Sequence, residues 1–284
     1  MISNEVMTTK MEQIIQDGYC VIEEILDSKM IKKLRLVSDS MIDQQDETHF
    51  IEHASQGCII SVTKHPFMAK LIAYPRTLKI FTDLGFDDPK FMSGYVISKP
   101  PEGPPLRWHQ DGFWWNHPVS YTAQTQQWFL MYYLVDTTCE NGCLRVIPGS
   151  HLKRHALHEH IPEYENNIKQ FNRVEELNHP LFQKAEGEVD VPVKAGDLVI
   201  GDARLFHSAY SNQSKAWRTV LTLWYWPDFN AMPEPIRAMI GSNRHRPAEL
   251  PESWPHQLTD PLTTEYQGNT KPLKSSRFPT QELK

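Results

Sequence analysis

The 284-residue chain has only four cysteines, Cys20, Cys58, Cys139 and Cys143, and none falls in a paired zinc-type spacing. This excludes a disulfide scaffold and a four-cysteine zinc module, and free thiols are the expected state even for the near neighbours Cys139 and Cys143. Long uncharged apolar runs are also missing, so no segment predicts a membrane-spanning helix. The N-terminus Met1-Ile-Ser-Asn-Glu-Val-Met has neither the basic nor the apolar region of an export signal, which predicts a cytoplasmic protein. There is no basic run: 29 Lys and Arg stand against 35 Asp and Glu, a formal net charge of −6. Without a cationic footprint, nucleic acid is not an expected partner, and small molecules are. Internal repeats and low-complexity tracts are absent too.

What the chain does have is β texture. Tyr19-Cys-Val-Ile, Phe91-Met-Ser-Gly-Tyr-Val-Ile-Ser-Lys, Gln126-Gln-Trp-Phe-Leu-Met-Tyr-Tyr-Leu-Val, Cys143-Leu-Arg-Val-Ile, Asp197-Leu-Val-Ile and Thr219-Val-Leu-Thr-Leu-Trp-Tyr are rich in β-branched and aromatic residues and bounded by turn formers. Helical spacing after the caps Asp27 and Ser28, and again over 66–73 and 76–84, predicts helices that flank a sheet. The pattern as a whole predicts a mainly β fold with flanking helices, a double-sheet jelly roll, in a single domain over 1–284 with its core at about 17–230. The polar, weakly periodic stretch 151–190 reads as an insertion or lid, and 242–284, rich in proline and charge, as an irregular tail.

Four residues carry the chemistry. In Leu106-Arg-Trp-His-Gln-Asp-Gly-Phe-Trp-Trp, His109 and Asp111 are two apart, so on a strand both leave one face while Gln110 points away. Two imidazoles and one carboxylate make the facial set that holds non-haem Fe(II) with positions left open, and His207, on a distant strand, is the candidate third ligand. Eleven residues further on, Arg218 opens an apolar strand where an unpaired guanidinium is expensive to bury. Its planar fork suits a carboxylate, so the anion it calls for is the far end of 2-oxoglutarate.

Several other residues carry competing readings. Trp114 and Trp115 follow the His-x-Asp motif and either wall a substrate pocket or pack in the core. Gln127, Arg145 and Arg204 are candidates for substrate contacts or for ordinary strand pairing. His151, His155, His158 and His160 cluster without a carboxylate or cysteine at a ligand offset, which favours solvated or supporting roles over a second metal.

Taken with Gly18-Tyr-Cys-Val-Ile, Lys99-Pro-Pro, Trp108-His-Gln-Asp, Glu140-Asn-Gly-Cys-Leu-Arg-Val-Ile-Pro-Gly-Ser-His, Ala195-Gly-Asp and His207 followed by Asn212, Ser214 and Arg218, the chain resembles the phytanoyl-CoA dioxygenase family of Fe(II)/2-oxoglutarate-dependent oxygenases over roughly Asp17 to Tyr225. The resemblance implies a double-stranded, cupin-like β-helix. It also implies iron on His109, Asp111 and His207, the distal 2-oxoglutarate carboxylate on Arg218, and Tyr95 beside that co-substrate. Dioxygen would be the second co-substrate, and a small organic or natural-product substrate would be hydroxylated or otherwise oxidised with release of succinate and CO2. The chain departs from the family at Met131, where a tryptophan often faces the co-substrate, and at Ala209, often serine. Asp111 itself argues against halogenation, since iron halogenases of this class carry a small residue there. A JmjC-like protein hydroxylase or demethylase, and a non-catalytic binding protein on the same scaffold, are the alternatives.

Overall fold

In the computed structural model, which describes residues 4–241 and 254–284, the β-rich runs form ten strands: β1 Tyr19–Ile22, β2 Ile59–Ser61, β3 Lys90–Lys99, β4 Leu106–His109, β5 Trp128–Tyr133, β6 Leu144–Val146, β7 Val189–Val191, β8 Leu198–Asp202, β9 His207–Ala209 and β10 Arg218–Trp226. They pair into a six-stranded sheet, ordered β1-β8-β5-β10-β3-β2, and a four-stranded sheet, ordered β4-β9-β6-β7. All of these pairings are antiparallel. The short β2, β7 and β9 lack the length from which a strand is read in sequence; partners on the sheet define them.

Period-2 alternation divides the large sheet into two faces. On its outer face Trp128, Leu130 and Tyr132 of β5 and Leu221, Leu223 and Tyr225 of β10 join one core cluster with Leu34, Val37, Ile80 and Phe81. Those partners come from helices α1 Asn4–Asp17, α2 Ser28–Ile42, α3 Glu47–Glu52, α4 Ala69–Ile72 and α5 Pro75–Asp83, among which α2 and α5 supply the residues just named. Each such side chain stabilises the fold by about 1.5–3 kcal/mol relative to exposure. Of the two predicted caps Asp27 is the one used, its carboxylate accepting from Met30 N at 2.7 Å, while Ser28 is the first residue of the helix. Pro75 opens α5 at a position where a helix needs no N–H, and Pro66–Met68 form a 3-10 turn that runs into α4.

The inner face of the same strands looks at the small sheet. Phe129, Met131, Tyr133 and Val220 pack there with Leu144, Val146, Val191 and Leu205, and the layer opens at one end into a cavity of about 550 Å³.

The 151–190 stretch folds into 3-10 turns and two short helices, α6 Ile161–Asn166 and α7 Ile168–Asn172. It has its own apolar cluster, in which Leu157, Phe171, Leu181 and Phe182 close over Trp108 and Phe206. Helix α8 Glu234–Gly241 packs Ile236, Met239 and Ile240 against Trp114 and Trp226. Of the expected irregular tail, 242–253 lie outside the described residues, and α9 His256–Thr259 is followed by extended chain that docks along 113–115: Ser276 N donates to Phe113 O at 2.7 Å, and Trp115 N to Ser276 O at 3.1 Å. No helix among the described residues is long and apolar enough to cross a membrane. The four cysteines are free thiols, with Cys139 and Cys143 Sγ atoms 3.9 Å apart.

Candidate metal centre

His109 and His207 face each other across the β4–β9 pairing, with ring centroids 4.0 Å apart. Each Nδ1 meets a backbone carbonyl, Arg107 O at 3.1 Å and Leu205 O at 3.0 Å. A carbonyl can only accept, so both Nδ1 atoms carry the proton and both Nε2 lone pairs are left for a ligand. Those Nε2 atoms point at one carboxylate: His109 Nε2 is 4.0 Å from Asp111 Oδ1, and His207 Nε2 is 3.7 Å from Asp111 Oδ2. Among the described residues this is the one group of three or more possible ligands, its atoms all within 4.8 Å of one another. Burial, then the His207 ring and the Arg107 and Arg277 guanidiniums, hold the His109 pKa well below its ordinary value, which keeps the imidazole neutral and able to bind a metal.

Asp111 is not on the strand. β4 ends at His109, and the Asp111 and Gly112 amides both donate to Ala203 O, at 2.7 and 2.9 Å, so the turn after β8 positions the carboxylate. Gln110 turns away, its amide reaching the Arg204 carbonyl. The Asp111 carboxylate is fixed by Trp224, whose indole Nε1 donates to Oδ2 at 2.8 Å. Sequence reasoning passed over Trp224, although it continues the inward face of β10 that begins at Arg218.

Trp224→Phe keeps most of the ring and deletes this donor. Fe(II) affinity is expected to fall about 10- to 100-fold, as for other groups that orient a ligand, with an unchanged melting profile. Anaerobic titration against a chelator of known affinity reads the change, and equal affinities would show that the indole does not orient Asp111.

Alternate residues of β10 (Arg218, Val220, Thr222, Trp224) and of β3 (Ser93, Tyr95, Ile97, Lys99) line the cavity, and β5 adds Gln127, Met131 and Tyr133. Arg218 is 4% exposed. Its Nε has no hydrogen-bond partner, and among the described residues no carboxylate pairs with it; Tyr133, Cys143 and Cys58 are the groups near its charge. Thr222 Oγ1 and Gln127 Oε1 are likewise buried without partners. Lys99, in register with Arg218, donates Nζ to the carbonyls of Ser55 and Pro104; burial, then Arg218 and Arg145, push its pKa well down. A buried cation with no carboxylate partner among the described residues, in the same cavity as two imidazoles and a carboxylate, fits a dicarboxylate that reaches from Arg218 to a metal.

The structure brings His109, Asp111, His207, Arg218, Tyr95, Met131 and Gln127 to this one cavity. For the other substrate candidates the structure decides between the competing readings, against a substrate contact. Trp114 and Trp115 lie behind the wall: Trp114 packs on Trp226 and reaches Met239 Sδ, and Trp115 packs against Tyr121 and His158. Both are at most 2% exposed because the tail and α8 cover them. Arg145 is held out of the cavity by Glu188 at 3.4 Å and Ser208 Oγ at 2.9 Å, between the rings of Trp108 and Tyr210. Arg204 pairs with buried Asp202 at 2.7 Å and ties down the Ser120 and Thr122 carbonyls. The histidine cluster is structural: His151 meets Ile15 O, and His155 and His158 cap a turn. Sequence reasoning missed Arg107 and Arg277, which also line the cavity.

Two facing antiparallel sheets with a two-histidine, one-carboxylate cluster between them define a double-stranded β-helix protein with a candidate mononuclear metal site. The chain belongs to the phytanoyl-CoA dioxygenase (PhyH) family, whose sequence profile matches residues 14–220. Phytanoyl-CoA dioxygenase 1 of Oryza sativa subsp. japonica is 32% identical over 149 residues, 51% of this chain and 47% of that protein. L-proline trans-4-hydroxylase of Streptomyces griseoviridis is 24% identical over 243 residues, 78% of this chain and 87% of that protein. The chain spans about half the length of most curated relatives it matches. In fold it is similar to the epimerase SnoN from nogalamycin biosynthesis, solved with Fe3+, alpha ketoglutarate and nogalamycin RO, at a TM-score of 0.59 and 18% identity over 98% of this chain and 99% of that one.

Proposed function

We propose that the protein is an Fe(II)- and 2-oxoglutarate-dependent dioxygenase that oxidises a small organic substrate. The observation that carries this reading is Arg218, a buried guanidinium with no carboxylate partner among the described residues, lining the same cavity as His109, Asp111 and His207. The name of the Streptomyces relative, a hydroxylase of a small amino acid, supports the substrate size. When bound, the metal supplies activation of dioxygen coupled to decarboxylation of 2-oxoglutarate to succinate and CO2. The chain's own residues do the rest. Arg218 takes the distal carboxylate in a bidentate grip, with Thr222 Oγ1 and Tyr95 beside it. Ile97, Met131 and Val220 form an apolar sleeve that keeps water from the co-substrate. Trp224 holds Asp111 in the orientation that leaves both histidine Nε2 atoms on the same centre. Met131 serves as a compliant wall where relatives often use an indole. A reducing cytoplasm, where Fe(II) and four free thiols persist, is the compartment this chemistry suits.

Anaerobic titration of the protein with Fe(II) and 2-oxoglutarate tests the reading. A weak visible charge-transfer band is expected to grow to one equivalent of co-substrate. A folded protein that gives no band would leave a binding protein on this scaffold as the better description.

A further inference from the structure

Cys139 and Cys143 bracket the turn that backs Arg218. Thr138 O accepts from both Asn141 N and Cys143 N, at 3.2 and 2.9 Å, and Thr138 N donates to Asn141 Oδ1 at 2.8 Å, so the segment 139–143 closes on itself before β6 begins. Gly142, at a φ of 91°, has no room for a side chain: a Cβ there would lie 2.9 Å from Tyr210 O and 3.5 Å from Arg218 Nε. The backbone of the turn thus rests against the guanidinium read above as the 2-oxoglutarate anchor. Cys143, the next residue, is among the groups near that charge.

The two thiols differ in access. Cys139 is exposed and Cys143 buried, with their Sγ atoms 3.9 Å apart. Their hydrogen bonds run outward in a chain: Cys143 Sγ donates to Cys139 Sγ, and Cys139 Sγ donates to Asp190 Oδ2 at 3.2 Å, on the exposed edge strand β7. Burial, then Cys139, pushes the Cys143 pKa up to about 12, so this thiol is inert by itself at neutral pH. The hydrogen bond to Asp190, then desolvation, also raises the Cys139 pKa, which makes the reduced pair the resting state. Cys139 is nonetheless open to solution, with a carboxylate in place to take its proton. Cys20 and Cys58 are both buried, which shields them from the same reagents.

We infer that Cys139 and Cys143 form a redox-modification site, a thiol pair that a low-molecular-weight disulfide converts into a bridge, and that the bridge weakens 2-oxoglutarate binding at Arg218. The second part rests on the dioxygenase reading; the first does not. In the first step Cys139 gives its proton to Asp190, and its sulfur attacks one sulfur of the small disulfide, forming a mixed disulfide and releasing one small thiolate. In the second the Cys143 sulfur attacks the Cys139 sulfur across the short gap and the remaining small thiolate leaves. Both protons end on the two small thiols. Each cysteine sulfur loses one electron and each sulfur of the small disulfide gains one. Drawing the cysteine sulfurs together from 3.9 Å displaces a turn whose Gly142 lies against Tyr210 and Arg218 on its other side, so the guanidinium loses the surface that aims it.

The test incubates the metal-free protein with glutathione disulfide, removes the excess, and then titrates anaerobically with Fe(II) and 2-oxoglutarate. Peptide mass spectrometry is expected to find a bridge between Cys139 and Cys143, and the charge-transfer band to need roughly tenfold more 2-oxoglutarate or above, with dithiothreitol reversing both. Cys139 is exposed, so Cys139→Ser leaves the fold intact; this variant is expected to escape both changes and to bind 2-oxoglutarate as the reduced wild type does. Cysteines that stay reduced, or a mixed disulfide on Cys139 that Cys143 never resolves, would overturn the site. A bridge that forms without moving the 2-oxoglutarate titration would overturn its coupling to Arg218. Absence of the band in the reduced wild type would instead remove the dioxygenase reading and the coupling with it, while the mass measurement still decides the site.

Discussion

Arg218→Met is expected to stabilise the metal-free protein while raising its 2-oxoglutarate requirement roughly 100-fold or more, two changes of opposite sense from one substitution. In the free protein Arg218 is almost fully buried, lacks a carboxylate partner among the described residues, and lies in register with Lys99, a second buried cation. Burial lowers its pKa, which reports that the folded state disfavours the charge. Methionine fills a similar volume without a charge to desolvate. The gain is on the order of 1–3 kcal/mol, or a few degrees in Tm for a chain of this size. With co-substrate the sign reverses. Removing one member of a buried charge pair costs about 2–5 kcal/mol, and each 1.4 kcal/mol is about a tenfold change in affinity. Calorimetry with and without Fe(II) and 2-oxoglutarate, alongside KM for 2-oxoglutarate, reads both halves. A methionine variant that melts lower than wild type and keeps its KM would mean that Arg218 is an ordinary structural residue.

The same tension explains which parts of this molecule its sequence reveals. Arg218 was legible as a guanidinium opening an apolar strand, whereas Tyr95 and Met131 came only from the resemblance to the family; the alternating inward faces of β3, β5 and β10 bring all three to one cavity. His109 and Asp111 were legible as a pair, but for a reason only half right: the strand stops at His109, and the Ala203 carbonyl sets Asp111. A hydrogen bond to a turn nearly a hundred residues away leaves no local pattern. Trp224 was within reach, since it stands six residues after Arg218 on the same face, yet an aromatic in a β-run reads first as core. Trp114 and Trp115 show the converse. Their position beside the ligands left a substrate wall and core packing both open, and the segment around Ser276 and helix α8, which bury them from behind, decide for the core. Arg277 belongs to that same segment, whose docking against 113–115 depends on contacts between residues more than 150 positions apart. The tail's richness in proline and charge predicts an irregular segment, and beyond α9 its described part runs as extended chain along 113–115.

Asp111→Ala is expected to lower 2-oxoglutarate-dependent succinate formation by roughly 1,000-fold or more, the effect of losing about 4 kcal/mol of transition-state stabilisation. Each carboxylate oxygen faces a different imidazole, at 4.0 and 3.7 Å, so the group sits between both nitrogen donors and its loss removes one ligand and the only carboxylate among the described residues of the cavity lining. Alanine also leaves the Trp224 indole N–H without its acceptor, a penalty of about 1–3 kcal/mol that falls on the local fold. Asp111→Asn separates the two effects. The amide keeps the shape and offers an oxygen to Trp224, so its melting temperature is expected to stay near wild type, while the loss of charge still weakens Fe(II) retention and turnover. Two imidazoles would then be left to hold the cation beside Arg107 and Arg277, which repel it. Wild-type turnover in both variants would mean that chemistry at this site does not depend on the two-histidine, one-carboxylate set. Activity lost in both, with stability lost only in alanine, is the pattern the geometry requires: the charge serves the metal and the oxygen serves Trp224.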